Sequence, residues 1–375
     1  MDTTSRNSST QPARRAQTTR RRAGELLTTL LDRRSRRRKP APLNLALQGG
    51  GSHGAFTWGV LDRLLEEEEL TIEGISGASA GAMNAVILAN GYLDGGRAGA
   101  QRALRAFWED VSRTSRLNPL QNAPFTTALA SWMRAWSPGY ALLRTLARNT
   151  SPYQFNPSGY NPLLSLLERH VDFERLRRSR QPKLFIAVTN VHTGELRVLR
   201  NHELTPAALA ASACLPMLFH AIALDDGQHY WDGGYSANPP LTPLLLECRS
   251  HRLLLVRLSP LYHPEVPQSA DEILARANEF TFNAGLLREL QILQQMQKQA
   301  RFGVGRLARR LRALELHEIH TDGQLLAFGE SSRGNADWPF LQHLHRLGWR
   351  QADQWLADAE EPAAEPAPSA DAARS

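Results

Sequence analysis

Apolar residues along this chain fall in short blocks separated by longer stretches of helical period. Leu43–Leu47, Thr71–Ile75, Lys183–Val191 and Leu253–Leu258 are runs of apolar and β-branched residues of strand length. Between the first two lies a helix-period segment, Ala55–Glu69, and after the second a run of small residues, Ala80–Asn90, that also reads as helix. This alternation predicts an α/β fold of three layers, a mostly parallel central sheet flanked by helices on both faces. Helical periodicity dominates residues 100–175, which contain Trp108, Trp132 and Trp136 and are expected to form an insertion over one end of the sheet. Residues 268–313 read as amphipathic helix interrupted at Gly303 and Gly305. No run approaches the roughly 18 apolar residues that a membrane span needs.

Charge divides the chain unevenly. Residues 1–40 carry twelve Arg or Lys against Asp2, Glu25 and Asp32, a net +9, while the remainder holds 32 basic and 34 acidic residues, a net −2. The overall +7 is therefore the property of a tail, and the body is near neutral. That tail is rich in Arg, Ser and Thr and poor in large apolar side chains, so disorder is expected. Its densest block, Arg33 to Lys39, reads as a solvated tail or as a peripheral contact with anionic membrane. No aromatic residue interleaves the arginines, so nucleic acid is not an expected partner. The first forty residues lack the apolar stretch of a secretory signal, and Arg20–Arg22 are not followed by one either. The implied plan is a disordered basic tail (1–40), a catalytic domain (41–260), a mainly helical part packed on it (261–357) and a second disordered tail (358–375). Cys214 and Cys248 are too few for a disulfide framework and lack metal-ligand spacing; buried, reduced thiols and a cytoplasmic location are expected.

Three motifs carry chemistry. Gly77-Ala78-Ser79-Ala80-Gly81 lies between a strand pattern and a helix pattern, the context in which G-x-S-x-G marks a nucleophile elbow. Only small residues fit around so sharp a turn, and the serine then stands at a helix N-terminus, where backbone N–H groups favour developing negative charge. Gly49-Gly50-Gly51-Ser52-His53-Gly54 follows the first strand. It fits neither a phosphate-binding nor a dinucleotide-binding loop, and its better reading is an oxyanion hole. Asp232-Gly233-Gly234 follows the strand-like His229–Trp231; alone it would read as an ordinary Asp-Gly hairpin turn, like Asp225–Gly227 just upstream.

Taken together and in this order, the three motifs resemble those of the patatin-like phospholipase family. Ala211–Pro216 and Asn238-Pro239-Pro240 look like its bacterial branch. The resemblance covers roughly residues 42–258. It implies a serine lipid acyl hydrolase, of phospholipase A or lysophospholipase type, that uses a dyad: Ser79 as nucleophile, Asp232 as base, and Gly49, Gly50, Gly51, Ser52, His53 and Gly54 as the oxyanion hole. Gly77 and Gly81 would shape the elbow, and Gly233 and Gly234 the turn after the base. No cofactor and no metal are implied; the expected partner is a lipid or other acyl ester. The family's glycine loop usually opens with Asp and carries Arg or Lys before its last glycine, and Gln48 and His53 stand in those places here.

Rival readings remain open at this level. A Ser-Asp-His esterase would draw its histidine from His317 or His320, which lie in a strand-like Glu/His/Ile alternation after Asp232. An acyltransferase would use the same dyad with an acceptor other than water. A membrane-associated scaffold could keep the fold without the chemistry.

Overall fold

The computed structural model describes residues 42–117, 151–263, 265–321, 323–328 and 330–360. The two tails and the tryptophans Trp132 and Trp136 lie outside them. An eight-stranded sheet forms the middle layer. Its first elements are β1 (Leu43–Leu47), α1 (Gly54–Glu66), β2 (Ile72–Gly77) and α2 (Ala80–Leu117). Three short helices follow, α3 (Pro152–Phe155), α4 (Pro162–His170) and α5 (Phe173–Arg178). Then come β3 (Lys183–Asn190), β4 (Leu196–Arg200), α6 (Pro206–Ser212), β5 (Ile222–Ala223), β6 (His229–Asp232), α7 (Thr242–Glu247) and β7 (Arg252–Arg257). The chain closes with α8 (Ala270–Ala300), α9 (Arg306–Ala313), β8 (Glu315–His320) and α10 (Trp338–Glu360).

Strands β3, β2, β1, β7 and β8 run parallel in that order, while β4, β6 and β5 are antiparallel additions at the β3 side. Side chains alternate between two buried faces, as the period of two requires. Leu43, Leu45, Leu47, Leu254 and Val256 join α1, α2, α4, α6 and α10 in one core. Ala46, Phe185, Leu253 and Leu255 join α7, α8 and α9 in the other. Burial on both faces explains why the strands read as continuous apolar runs.

Several expected boundaries moved, and two of the shifts bear on the site. The second strand runs two residues past Ile75, because β1 and β3 pair with it through Gly77 on both sides. The helix expected to end at Asn90 continues to Leu117 across a break at Gly95–Gly96, where Gly96 takes φ +61°. Trp108 belongs to the core, its indole N–H donating to Asn84, whose amide in turn donates to the Gly54 carbonyl. Cys214 and Cys248 are buried free thiols, and burial pushes both up to about 12. Among the described residues no helix is long and apolar enough to cross a membrane.

The C-terminal helix α10 packs backbone to backbone on α1. A Cβ at Gly59 would lie 1.9 Å from the His345 carbonyl oxygen, and one at Gly348 would lie 1.9 Å from that of Phe56. Neither backbone can yield without separating the helices. Gly59→Ala should therefore lower stability by ~3 kcal/mol, at the upper end of overpacking costs; an unchanged melting curve would refute this account of the crossing.

Candidate active site

The serine elbow is built by close approach. A Cβ at Gly77 would stand 2.6 Å from the carbonyl carbon of Gly81, and one at Gly81 would stand 2.1 Å from the Leu47 carbonyl oxygen. Ala78 and Ala82 are fully buried. The turn puts Ser79 at φ +53°, and it is the one non-glycine residue with positive φ among those described. Such strain costs on the order of 1 kcal/mol and persists only where surrounding contacts impose it. Here the Ser79 N–H is shared between the Ser212 carbonyl (3.0 Å) and the Ser212 hydroxyl (3.1 Å). The half-buried Ser79 side chain stands where α2 begins.

Sheet register brings Asp232 to this elbow. Strand β2 pairs with β3 as far as Gly77 opposite Ile186. Strand β4 occupies the other edge of β3 from Phe185 to Thr189. Strand β6, which pairs Asp232 with Val188, must therefore lie on the same edge as β2, just past its end. Asp232 is completely buried. Its N–H donates to the Cys214 carbonyl (2.9 Å), its carbonyl accepts from the Thr189 hydroxyl (2.8 Å), and its Oδ1 accepts from Gly234 N–H (2.8 Å). The other carboxylate oxygen, Oδ2, has no hydrogen-bond partner. Burial raises this carboxyl to about 7, opposed by the Gly234 N–H and by the Ser79 hydroxyl. The Ser79 hydroxyl thus lies beside the carboxylate without closing a hydrogen bond of ordinary geometry.

The motif is not a hairpin. After Asp232 the chain enters a 3-10 turn, Gly233–Tyr235. A Cβ at Gly233 would meet the Ala187 carbonyl oxygen at 2.1 Å, and one at Gly234 the Phe282 ring at 2.5 Å. The hairpin turn is the upstream one: Gly227, at φ +72°, donates to Leu224, and Leu224 donates to Gln228.

The glycine loop lies against the serine. A Cβ at Gly49 would sit 2.7 Å from Ser79 Cβ. Asn238 brackets the Gly49 peptide: its Oδ1 accepts from Gly49 N–H at 2.6 Å and its Nδ2 donates to the Gly49 carbonyl at 3.4 Å. Gln48, fully buried, accepts from Leu258 N–H (2.7 Å) and Ser259 N–H (2.9 Å) and donates to Asn283 Oδ1 (3.0 Å). A carboxylate could make the first two bonds but not the third. Gly51 adopts φ +60° as a short 3-10 turn, Gly51–His53, leads into α1 at Gly54. Ser52 and His53 are buried. His53 Nε2 pairs with the Ser332 hydroxyl at 2.7 Å, and burial together with the nearby Arg333 charge lowers its pKa to about 4. The imidazole is neutral at neutral pH.

The two alternative histidines sit elsewhere. Both belong to β8, separated from β2 by β7 and β1, a span of about 14 Å at ordinary strand spacing. His317 is half-buried beside the Trp355 ring, and its partial burial, together with the Arg252 charge, lowers it to about 4. The fold thus gathers Ser79, Asp232 and the glycine loop and leaves His317 and His320 apart. Ser212, Asn238 and Gln48 act as braces. The first two lie in the stretches Ala211–Pro216 and Asn238–Pro240 that resemble the family's bacterial branch, and nothing local in the sequence distinguishes Ser332 or Arg333.

A family model described as patatin-like phospholipase matches residues 45–245, more than half of the chain. No curated protein matches. The chain is similar to the crystal structure of VipD from Legionella pneumophila, at 16% identity over 86% of this chain and 67% of that one, with a TM-score of 0.38. It is similar also to the heterodimeric ExoU–SpcU complex from the type III secretion system of Pseudomonas aeruginosa, at 18% identity over 86% of this chain and 72% of the other, with a TM-score of 0.28.

Proposed function

We propose, from the premise that this chain belongs to the patatin-like phospholipase family and is a lipid hydrolase, that it cleaves acyl esters through a Ser79–Asp232 dyad. The observation that carries this reading is the buried, half-satisfied carboxylate of Asp232, registered by β6 beside a serine held at positive φ. Asp232 Oδ2 is free to accept the Ser79 proton as Oγ attacks the ester carbonyl. The resulting oxyanion needs N–H donors. The N–H of Ser79 is already committed to Ser212, and the Gly50 and Gly51 peptides of the glycine loop are the candidate donors. Collapse expels the alcohol or lysolipid, which takes the proton back from Asp232. Water, deprotonated by the same carboxylate, then attacks the acyl-enzyme, and the fatty acid leaves as Ser79 Oγ takes that proton back from Asp232.

Apolar side chains flank this centre, which suits a substrate with acyl chains. Met217 and Leu218 are exposed on the turn that follows Cys214, the residue whose carbonyl holds Asp232. Tyr235, also exposed, lies three residues beyond the base and packs at a tilt against Phe282. A peripheral membrane contact through residues 1–40 would add to this, and those residues lie outside the described ones.

The test is covalent. The full chain should be treated with a fluorophosphonate probe and the adduct mapped by peptide mass spectrometry, beside assays on p-nitrophenyl esters and phospholipid vesicles. A single adduct on Ser79 together with ester hydrolysis is the expected outcome. A folded protein that neither labels nor hydrolyses would make it a scaffold with the family's fold.

A further inference from the structure

The glycine loop is gripped from outside by a segment 279 residues further along the chain. Three contacts do this, each at a different point of the loop. At its start, Gln48 Oε1 accepts from Ser259 N–H (2.9 Å), and the Ser259 hydroxyl accepts from Arg333 Nη2 (3.2 Å). In its middle, the Arg333 carbonyl closes over Gly51, where a Cβ would lie 2.4 Å from that oxygen. At its end, the buried Ser332 hydroxyl pairs with the buried His53 Nε2 (2.7 Å). Loop and clamp are both 3-10 turns, Gly51–His53 and Glu330–Gly334, with few intrinsic constraints of their own. Their mutual contacts therefore set where the loop peptides point.

Two guanidinium groups meet at Ser259: Arg257, which donates to the Ser259 carbonyl and is paired with Glu318, and Arg333, which donates to the Ser259 hydroxyl. His53, neutral at neutral pH, contributes no net positive charge to the loop. A guanidinium is charged at every pH of interest and offers donors in a fixed fork. We propose that Arg333 is a positioning residue for the reaction: anchored on Ser259, it holds the glycine loop in its donor geometry through Gly51 and supplies a permanent positive charge beside it. The inference rests on the dyad reading above, because a cation and ordered peptides at this loop matter to catalysis only if an oxyanion forms there. Their effect is felt where charge develops, so it belongs to kcat and not to KM. Losing a donor that touches the oxyanion costs about 100- to 1000-fold. Arg333 acts through the loop, so a smaller loss, about 10- to 100-fold, is expected.

The experiment compares the full-length wild type with Arg333→Gln and Arg333→Lys, using p-nitrophenyl butyrate hydrolysis and the rate of fluorophosphonate labelling. Arg333→Gln should lower kcat and the labelling rate by about 10- to 100-fold with KM changed less than about threefold, and Arg333→Lys should recover most of the loss. In Arg333→Gln the His53 imidazole, followed by NMR titration, should titrate at higher pH than in the wild type, since the neighbouring cation is gone. Wild-type kinetics in Arg333→Gln, or a Lys variant as slow as the Gln variant, would overturn the proposal. Should Arg333→Gln not fold, Ser332→Ala cuts the clamp at His53; reduced kcat at unchanged KM supports the proposal and an unchanged kcat overturns it. A wild type that never labels removes the dyad reading itself, and the proposal with it, before any variant is compared.

Discussion

Ser79→Ala should lose ester hydrolysis by about 10,000-fold or more and lose probe labelling altogether. A serine nucleophile removed from an intact site leaves only the residual acceleration that oxyanion donors and binding provide. The expected effect on stability is small, because alanine meets the same steric penalty at φ +53° as serine does. Ser79→Gly separates the two quantities. It should be as inactive as the alanine variant yet more stable, by up to ~1 kcal/mol, since glycine adopts positive φ without strain. Parallel assays and melting curves of both variants check this pair. Residual activity above about one part in a hundred would show that another group attacks the ester.

Asp232→Asn should cost about 1,000- to 10,000-fold in kcat/KM while making the protein more resistant to heat above neutral pH. In the proposed mechanism Asp232 must be ionised to accept the serine proton. With burial holding the carboxyl near 7, wild-type kcat/KM should rise tenfold per pH unit up to about pH 7 and then level off. Stability runs the other way. A buried carboxyl raised from its ordinary 3.8 to about 7 binds its proton more tightly when folded than when unfolded. Its contribution therefore weakens as pH rises through that interval and stays low above it. At full ionisation the cost is of the order of 4 kcal/mol, an upper bound because the site can relax. The isosteric amide carries no such cost, so its advantage in melting temperature should open between about pH 4 and pH 7 and then hold constant. An advantage that is the same at every pH, or a wild-type rate independent of pH through this range, would place the catalytic base elsewhere.

These variants separate what was legible locally from what was not. The elbow could be read from five residues because part of its requirement is local: the turn leaves no room for a Cβ at Gly77, which would meet the Gly81 backbone, whereas Gly81 is held small by the Leu47 carbonyl of β1. The central strands were legible because both faces are buried, which forces near-continuous apolar runs. Their ends were less so. Gly74 and Gly77 have poor strand propensity, and β2 reaches the elbow only because β1 and β3 pair with it from both sides.

Gln48 and His53 show the limit most clearly. In the sequence they are departures from the family's loop residues. In the fold Gln48 is the buried brace that ties the loop to Leu258, Ser259 and Asn283, and His53 is a neutral ring turned to Ser332.

The sequence by itself determined the α/β class, the elbow motif and the order of the three motifs, since strand-length apolar runs, helical periods and clustered glycines are visible in short windows even where the contacts that require them are distant. The tertiary structure alone decided that Asp232 stands beside Ser79, through β6 sharing an edge of β3 with β2, and that Ser332 and Arg333 close on the glycine loop. Partners separated by 153 and 279 residues meet through strand register and helix packing, and neither leaves a trace in the local pattern of the segments they join.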